Sequence, residues 1–135
     1  MVGDLTWSVE FPEAGPADIV VRTAGIATVA GLDEWTRAAL ADVRRRPGMR
    51  ALIDHRELDW TDFSRADVFA RSESLRGYLA DAEVSAVAVV LGSSLGYGLQ
   101  RMMQAHTGEA ADQAGIRFGA FRTIDEAEAW LTGVR

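Results

Sequence analysis

The most constraining feature of the sequence is a strand-like segment that runs through a glycine-serine turn directly into a helix-like segment. Residues 84–91 are small or β-branched at almost every position, and Gly92-Ser93-Ser94 follows them. A strand that is apolar at both odd and even positions is typical of a sheet that is covered on both faces. The predicted helix comes next, with helical spacing between Leu95, Leu99, Met102, Met103 and His106. These patterns predict an α/β protein.

Strand-like and helix-like segments alternate along the rest of the chain. Residues 7–11 and 19–22 predict an antiparallel edge hairpin, because a turn rich in proline and glycine separates them. A helix with its apolar face starting at Leu32 is expected to end at Pro47-Gly48. Further strands are expected at 51–53, 84–91 and 116–121. The predicted order is ββαβαβαβα, in a mostly parallel sheet of about five strands with an antiparallel N-terminal edge strand. A chain of 135 residues fits one domain.

Two helix starts carry capping signals. Ser64 with Asp67, and Thr123 with Glu126, each have the spacing of a capping box. Behind the first of them, a buried helical stripe is expected at Val68, Phe69, Leu75 and Leu79.

Composition excludes several classes of function. The chain has no cysteine, and all 14 of its basic residues are arginine, which removes thiolate nucleophiles, sulfur-bound metals and lysine Schiff-base chemistry. The net charge of −6 argues against nucleic-acid binding, which depends on phosphate neutralisation. No apolar run approaches the length of a membrane span, and Met1-Val2-Gly3-Asp4 lacks the pattern of an export signal. We therefore expect a cytoplasmic protein that does not span a membrane.

The turn after the predicted strand at residues 84–91 matches a nucleophile-elbow pattern. Gly92-Ser93-Ser94-Leu95-Gly96 is G-x-S-x-G between a strand and a helix, and it makes Ser94 a candidate hydrolase nucleophile. His106 lies twelve residues further along the same helix, about 18 Å away along its axis, and is out of reach. His55 follows a neighbouring strand and is the candidate base, although Asp54 is expected to point to the opposite face. The sequence therefore leaves two predictions of function: a protein without catalytic residues and, as the alternative, a serine hydrolase that uses Ser94 and His55.

The same turn has a second interpretation as an anion-binding site. Backbone N–H groups of Ser93 and Ser94 at a helix start are suited to a carboxylate or phosphate. With Gly92 before them and Tyr97 and Arg101 on the following helix, they form the candidate ligand-binding set. A glycine turn with a serine N-cap, without a ligand, is the favoured interpretation of the turn.

An acidic cluster surrounds one histidine after the strand at 51–53, but it lacks the spacing of a metal site. Its members are Asp54, His55, Asp59, Asp62 and Asp67. Neither H-x-x-x-H nor D-x-D-x-D is present, so a solvated loop is favoured and no metal or cofactor is expected.

The helix motif at residues 97–104, Tyr-Gly-Leu-Gln-Arg-Met-Met-Gln, resembles that of bacterial SpoIIAA-like proteins, a branch of the STAS (sulfate transporter and anti-sigma-factor antagonist) superfamily. The ending with Phe121, Glu126-Ala127 and Trp130-Leu131 is similar to that branch as well. The resemblance implies a single domain with helices mainly on one face of the sheet. It also implies binding or regulation instead of catalysis, with a protein partner or a small ligand, and some relatives hold lipids or other apolar ligands between sheet and helices. The anionic ligand is the alternative that the turn at residues 92–96 adds.

The resemblance also bears on regulation and assembly. Members with a phosphoswitch carry a serine just before the second helix, where this chain has Phe63, with Ser64 one position later. We expect no phosphorylation switch, Ser64 being the only nearby candidate. Helices confined to one face would leave apolar residues of the strands at 51–53 and 84–91 exposed on the other face, which predicts a homodimer.

Overall fold

A computed structural model describes residues 4–134 and confirms the predicted order of elements. These are β1 (Thr6–Glu10), β2 (Ile19–Ile26), α1 (Val29–Ala41), β3 (Arg50–Asp59), α2 (Arg65–Ala82), β4 (Ala86–Leu91), α3 (Ser94–Ala114), β5 (Arg117–Phe121) and α4 (Ile124–Gly133). Residues 1–3, on which the expectation about an export signal rests, lie outside the described residues. Among the described helices, none combines the length and apolarity that crossing a membrane requires.

The five strands form one sheet in the order β1-β2-β3-β4-β5. β1 pairs antiparallel with β2, and each later strand is parallel to its neighbour. The mostly parallel sheet with an antiparallel N-terminal edge strand is therefore confirmed.

The helices are distributed unequally between the two faces of the sheet. On one face, β2, β3 and β4 pack with α1, α2 and α3, through buried residues such as Ile53, Val68 and Met103. On the other face, the same strands pack with α4 through Leu52 and Leu131. Side chains alternate between faces along a strand, so every apolar position of β3 has a helix above or below it. Three helices lie on one face and one on the other, as the resemblance implied.

The predicted boundaries of two elements are wrong. α1 begins at Val29 and ends at Ala41, ahead of Pro47. β3 continues to Asp59 instead of ending near residue 53, because the long partner strand β2 extends the ladder as far as the pair Ile26 and Asp59. Asp54 and His55 therefore lie inside a strand and not in a loop.

Two predicted buried positions are exposed. Phe69 is 50% and Leu95 is 51% exposed. α3 turns a different face inward, through Gly96, Gln100, Met103, Thr107 and Ala111. Gly96 fixes this rotation, since a Cβ at residue 96 would lie only 2.7 Å from Cδ1 of the Trp60 indole. With Gly96 against Trp60, Leu95 points away from the core.

The structural premise of the homodimer is wrong. Val20, Leu52, Ala88 and Val90, on the face opposite α1–α3, are buried beneath α4 together with Leu131. The exposed apolar strand surface that predicted self-association is thus covered within the chain.

Candidate functional site

A cavity of about 100 Å³ lies between the sheet and the helices α1, α2 and α3. Its floor is built by inward-facing residues of the strands, including Ile53 and Val89, and its roof includes Leu32, Leu75 and Met103. Strand positions supply β-branched side chains that stand upright on the sheet, and helical positions supply longer apolar ones. In another protein, an engineered cavity of about 150 Å³ binds benzene, so this smaller space is of the same order of size as one that takes a small apolar molecule.

His55 is a neutral polar group in the wall of this cavity. Its ring is buried between Trp35 and Trp60, with ring centroids 5.7 and 5.9 Å away in edge-to-face contact. Burial, together with the positive charge of Arg71 and against the opposing effect of Asp54, lowers the pKa of His55 from 6.5 to about 3. The imidazole is therefore uncharged at neutral pH.

The hydrogen bonds around His55 define its tautomer. Nδ1 lies 2.7 Å from the hydroxyl oxygen of Thr23, and that hydroxyl lies 3.2 Å from the carbonyl oxygen of Asp54. Thr23 has one proton, and it satisfies both contacts only if it donates to Asp54 and accepts from an Nδ1–H group. This assignment leaves Nε2 of His55 as a hydrogen-bond acceptor.

Arg71 is a buried cation that also lines the cavity. Its guanidinium donates to the Asp33 carboxylate at 2.7 Å and to the Thr36 hydroxyl at 2.8 Å, and it lies over the ring of Trp35 at 5.6 Å. Desolvation lowers the pKa of Arg71, while Asp33 acts in the opposite direction. Asp33 thus neutralises the charge and ties α1 to α2 at this end of the cavity.

The two tryptophans beside His55 each have an unsatisfied N–H group. The Nε1 atoms of Trp35 and Trp60 are buried and have no acceptor among residues 4–134. Buried N–H groups normally have partners, so these two donors are exceptions in the packing around His55. The Nε1 edge of Trp60 lies against α3 at Gly96, whereas Trp35 belongs to α1.

The cavity reaches the surface between α1 and α2. Leu40, Leu75 and Tyr78 line it and are only half-buried. Two hydrogen bonds span this opening: Arg37 donates to the Tyr78 hydroxyl at 3.0 Å, and Arg45 donates to the Ala82 carbonyl oxygen at 2.6 Å.

The predicted turn at residues 92–96 is well formed, and the hydroxyl groups of Ser93 and Ser94 each have a hydrogen-bond partner. A Cβ at Gly92 would lie 2.3 Å from the Arg56 carbonyl oxygen, so close backbone approach requires glycine there. Ser93 is the N-cap of α3 and accepts from the Gly96 N–H at 3.0 Å. Ser94 is exposed and accepts a hydrogen bond from Arg122 at 3.3 Å.

The remaining members of the predicted ligand set lie further along α3. Arg101 donates to the Tyr97 hydroxyl at 3.3 Å and lies over its ring. Arg122, at the end of β5, is the arginine that contacts the turn, and sequence spacing gave no indication of it. Anion binding at the turn stays a prediction.

Ser94 follows β4 and His55 lies within the neighbouring strand β3, but the two residues face different surroundings. His55 pairs in register with Leu91, is buried and is bonded to Thr23, while Ser94 is exposed. The Trp60 indole packs against both His55 and Gly96. Over residues 4–134 no hydrogen bond joins Ser94 to His55. Asp54 points to the opposite face, as predicted, where it binds Arg56 at 2.9 Å.

The residues before α2 form the predicted capping box. The Ser64 hydroxyl accepts from the Asp67 N–H at 3.1 Å, and the Asp67 carboxylate accepts from the Ser64 N–H at 2.8 Å. Phe63 is buried against Trp60, with ring centroids 5.1 Å apart. The absence of a phosphorylation switch stays a prediction. In the part of the chain that the structure describes, no group of three or more candidate metal ligands comes together.

The contacts that surround His55 and Arg71 were missed by the sequence analysis. Thr23, Trp35, Trp60 and Arg71 are separated by up to 48 residues in the sequence, and their contacts depend on the packing of α1 and α2 on the sheet. One signal was present: an arginine at a buried helical position, three residues after Val68, requires a buried partner.

Comparison with known proteins identifies the fold. No protein-family model matches the sequence, and no curated protein does. The structure is similar to that of an uncharacterised protein of the DUF3478 family, with a SpoIIAA-like fold, from Shewanella loihica PV-4. The sequence identity is 20%, the match covers 97% of this chain and 98% of that chain, and the TM-score is 0.53. The chain therefore has a SpoIIAA-like fold.

Proposed function

We propose that this protein is a non-catalytic binding domain that takes a small apolar molecule into the cavity between the sheet and α1–α3. The cavity carries the proposal: it is lined mainly by apolar side chains and opens between two helices. Apolar pockets with a few convergent polar groups are the usual form of small-molecule sites. The proposal takes up the lipid-like ligand of the sequence analysis. A protein partner and a cytoplasmic location stay predictions.

The hydrolase alternative has less support. A serine nucleophile needs a base within hydrogen-bond reach, and the base in turn needs an orienting group. His55 donates through Nδ1 to Thr23 and is enclosed by two indoles, and Ser94 is bonded to Arg122. The arrangement suits a binding wall better than a proton relay.

Benzene is a suitable first probe because it has no polar group and is a small apolar ring that binds a cavity of similar order of size in another protein. Titration into ¹⁵N-labelled protein is expected to shift amide resonances of residues lining the cavity, such as Ile53, Leu75 and Met103, and to saturate. Shifts confined to surface residues, or no saturable shifts, would overturn the proposal.

Two adjacent alanines of α1 provide a matched pair of variants. Ala39 is half-buried and lines the cavity, whereas Ala38 is exposed. Ala39→Phe is expected to fill the opening and weaken benzene binding at least tenfold. Ala38→Phe adds the same side chain outside the cavity and is expected to bind as the parent protein does. Equal affinities of the two variants would contradict binding at this site.

A further inference from the structure

A second cavity lies on the other face of the sheet, beside α4, and the proposed function does not involve it. Its volume is about 190 Å³. Strands β2 and β3 form its floor, the loop at residues 12–17 forms one wall, and α4 forms another through Ile124 and Glu128. Its charged lining residues are Arg22, Asp54, Arg56 and Glu128. Apolar walls with a few charged groups are the usual composition of a small-molecule site.

The floor of this second cavity presents two arginines with unused hydrogen-bond donors. Arg22 lies in register with Asp54 of the neighbouring strand, and Arg56 follows Asp54 by two positions, so the three side chains share one face. Nε and Nη2 of Arg56 bind the Asp54 carboxylate, each at 2.9 Å. Nη1 of Arg22 binds Glu10 at 2.9 Å. Within residues 4–134, no hydrogen bond uses Nη1 of Arg56 or the Nε and Nη2 atoms of Arg22. Both side chains are about half exposed, so these donors are open to a ligand.

The α4 wall presents a carboxylate. Glu128 is half-buried, and its side chain forms no ion pair or hydrogen bond in the part of the chain that the structure describes. Asp54, the other carboxylate of the cavity, is buried and already bound by Arg56. Burial raises the pKa of Asp54, but the hydrogen bonds from Arg56 and the charges of Arg56 and Arg22 outweigh it and lower that pKa. Asp54 therefore stays ionised, and Glu128 is the carboxylate that lacks a partner.

Opposite charges on two walls restrict the chemistry of the ligand. A molecule with only a negative charge would be attracted by Arg22 and Arg56 but repelled by Glu128. A molecule with only a positive charge would be attracted by Glu128 but repelled by the two arginines. A hydrocarbon would displace water from all of these groups without replacing its hydrogen bonds. A molecule that carries both charges complements both walls.

We infer that the second cavity binds a small zwitterion, a molecule with one carboxylate and one ammonium group joined by a short apolar chain. The carboxylate accepts from the free N–H groups of Arg22 and Arg56, and the ammonium group donates to Glu128. The chain between them packs on Val20 and Leu52, which belong to the same floor. This cavity is separate from the one beneath α1–α3, so the inference does not depend on the proposed function.

Three probes of similar size separate the contributions of the two charges. 4-Aminobutyrate carries both charged groups on a flexible chain, butyrate lacks the ammonium group, and butylamine lacks the carboxylate. Titration of 4-aminobutyrate into ¹⁵N-labelled protein is expected to shift the amide resonances of Ala14, Gly15 and Ala17 in the loop wall, and to saturate. Its affinity should exceed that of either single-charge probe by about fivefold, the contribution of one partly exposed ion pair.

Two variants assign the charged groups of the site. Glu128→Gln is expected to bind 4-aminobutyrate and butyrate with equal affinity, because the partner of the ammonium group is removed. Arg22→Gln is expected to reduce the preference for 4-aminobutyrate over butylamine. Glu109→Gln removes the same charge from an exposed position of α3, on the opposite face of the sheet, and should keep both preferences. Arg56 is left unchanged, because its removal would leave Asp54 buried without a partner.

The comparison of the three probes on the parent protein tests the inference independently of whether a variant folds. Equal affinities of 4-aminobutyrate and butyrate would show that the ammonium group has no partner and would overturn the inference. Equal affinities of 4-aminobutyrate and butylamine would do the same for the carboxylate. If 4-aminobutyrate produces no saturable shifts in the loop at residues 12–17, the cavity is not a site for a zwitterion. These outcomes leave the proposed function untouched, since benzene is expected to shift a different set of resonances, including Ile53, Leu75 and Met103.

Discussion

Replacing Gly96 with alanine tests the close packing between α3 and the cavity wall. A Cβ at residue 96 would lie 2.7 Å from Cδ1 and 2.8 Å from Nε1 of the Trp60 indole. Carbon atoms in good contact are about 3.5–4.0 Å apart, so the indole or the helix has to move. Trp60 is only 2% exposed and is held by His55 and Phe63, which leaves the ring little room.

Gly98 is a matched control two residues further along the same helix. A Cβ there would meet nothing within 4 Å. Gly98→Ala is expected to raise the free energy of unfolding by about 0.5–1 kcal/mol, because alanine is the better helix former. At Gly96 the overpacking cost of about 1–3 kcal/mol outweighs that gain. We therefore expect Gly96→Ala to be less stable than Gly98→Ala by about 1–3 kcal/mol, because the gain in helix propensity is common to both variants and only the overpacking cost differs.

Urea unfolding of both variants, monitored by far-UV circular dichroism, measures this difference. A second readout is the indole N–H resonance of Trp60, which should move in Gly96→Ala and remain in place in Gly98→Ala. Equal stabilities, or a stabilised Gly96→Ala with an unchanged Trp60 resonance, would refute the close approach of α3 to Trp60.

Three further predictions concern buried and capping residues. The folded-state pKa of His55, about 3, is below its unfolded value near 6.5. The buried neutral His55 therefore contributes its full stabilisation above pH 6.5. Below that pH the free energy of unfolding falls by up to about 1.4 kcal/mol per pH unit as the pH decreases toward 3. His55→Gln should lack this slope in urea unfolding between pH 6.5 and 5, and identical slopes would contradict a buried neutral imidazole. Asp33→Asn leaves Arg71 buried without its carboxylate partner and should lower the free energy of unfolding by about 3 kcal/mol. The double variant Asp33→Asn with Arg71→Met should recover most of this loss. A double-mutant cycle that shows no coupling energy between the two residues would contradict the ion pair. Ser64→Ala should lower the free energy of unfolding by about 1 kcal/mol, measured by thermal unfolding, because the helix cap is lost. The predicted absence of a phosphorylation switch would be contradicted by phospho-Ser64 in protein from the native host that alters partner binding.

The elements that sequence analysis predicted well are those governed by local rules. Ser64 and Thr123 cap their helices as their spacing indicated, because each hydroxyl accepts from an N–H three residues ahead. The residues of β4 are apolar at odd and even positions alike, and they pack against helices on both faces of the sheet. The parallel direction of the later strands followed from the alternation of strands and helices, since a helix between two strands usually connects parallel neighbours.

The parts that sequence analysis missed depend on contacts between distant segments. Phe69 fits the helical stripe of α2 by spacing, but it lies outside and packs on His106 of α3. The cavity could not be predicted from hydrophobic periodicity, because the same apolar pattern is compatible with a filled core and with a core that contains a cavity. Arg71 and His55 acquire their roles only through Asp33 and Thr23, which belong to other elements.

The position of a bound apolar molecule is the most direct test of the central claim. Bromobenzene can be located in a crystal of this protein by the anomalous scattering of its bromine. Our account predicts a bromine peak inside the cavity, surrounded by Ile53, Leu75 and Met103, and no such peak in Ala39→Phe. Bromine peaks found only at the protein surface, with the cavity of the parent protein empty at saturating bromobenzene, would contradict the account.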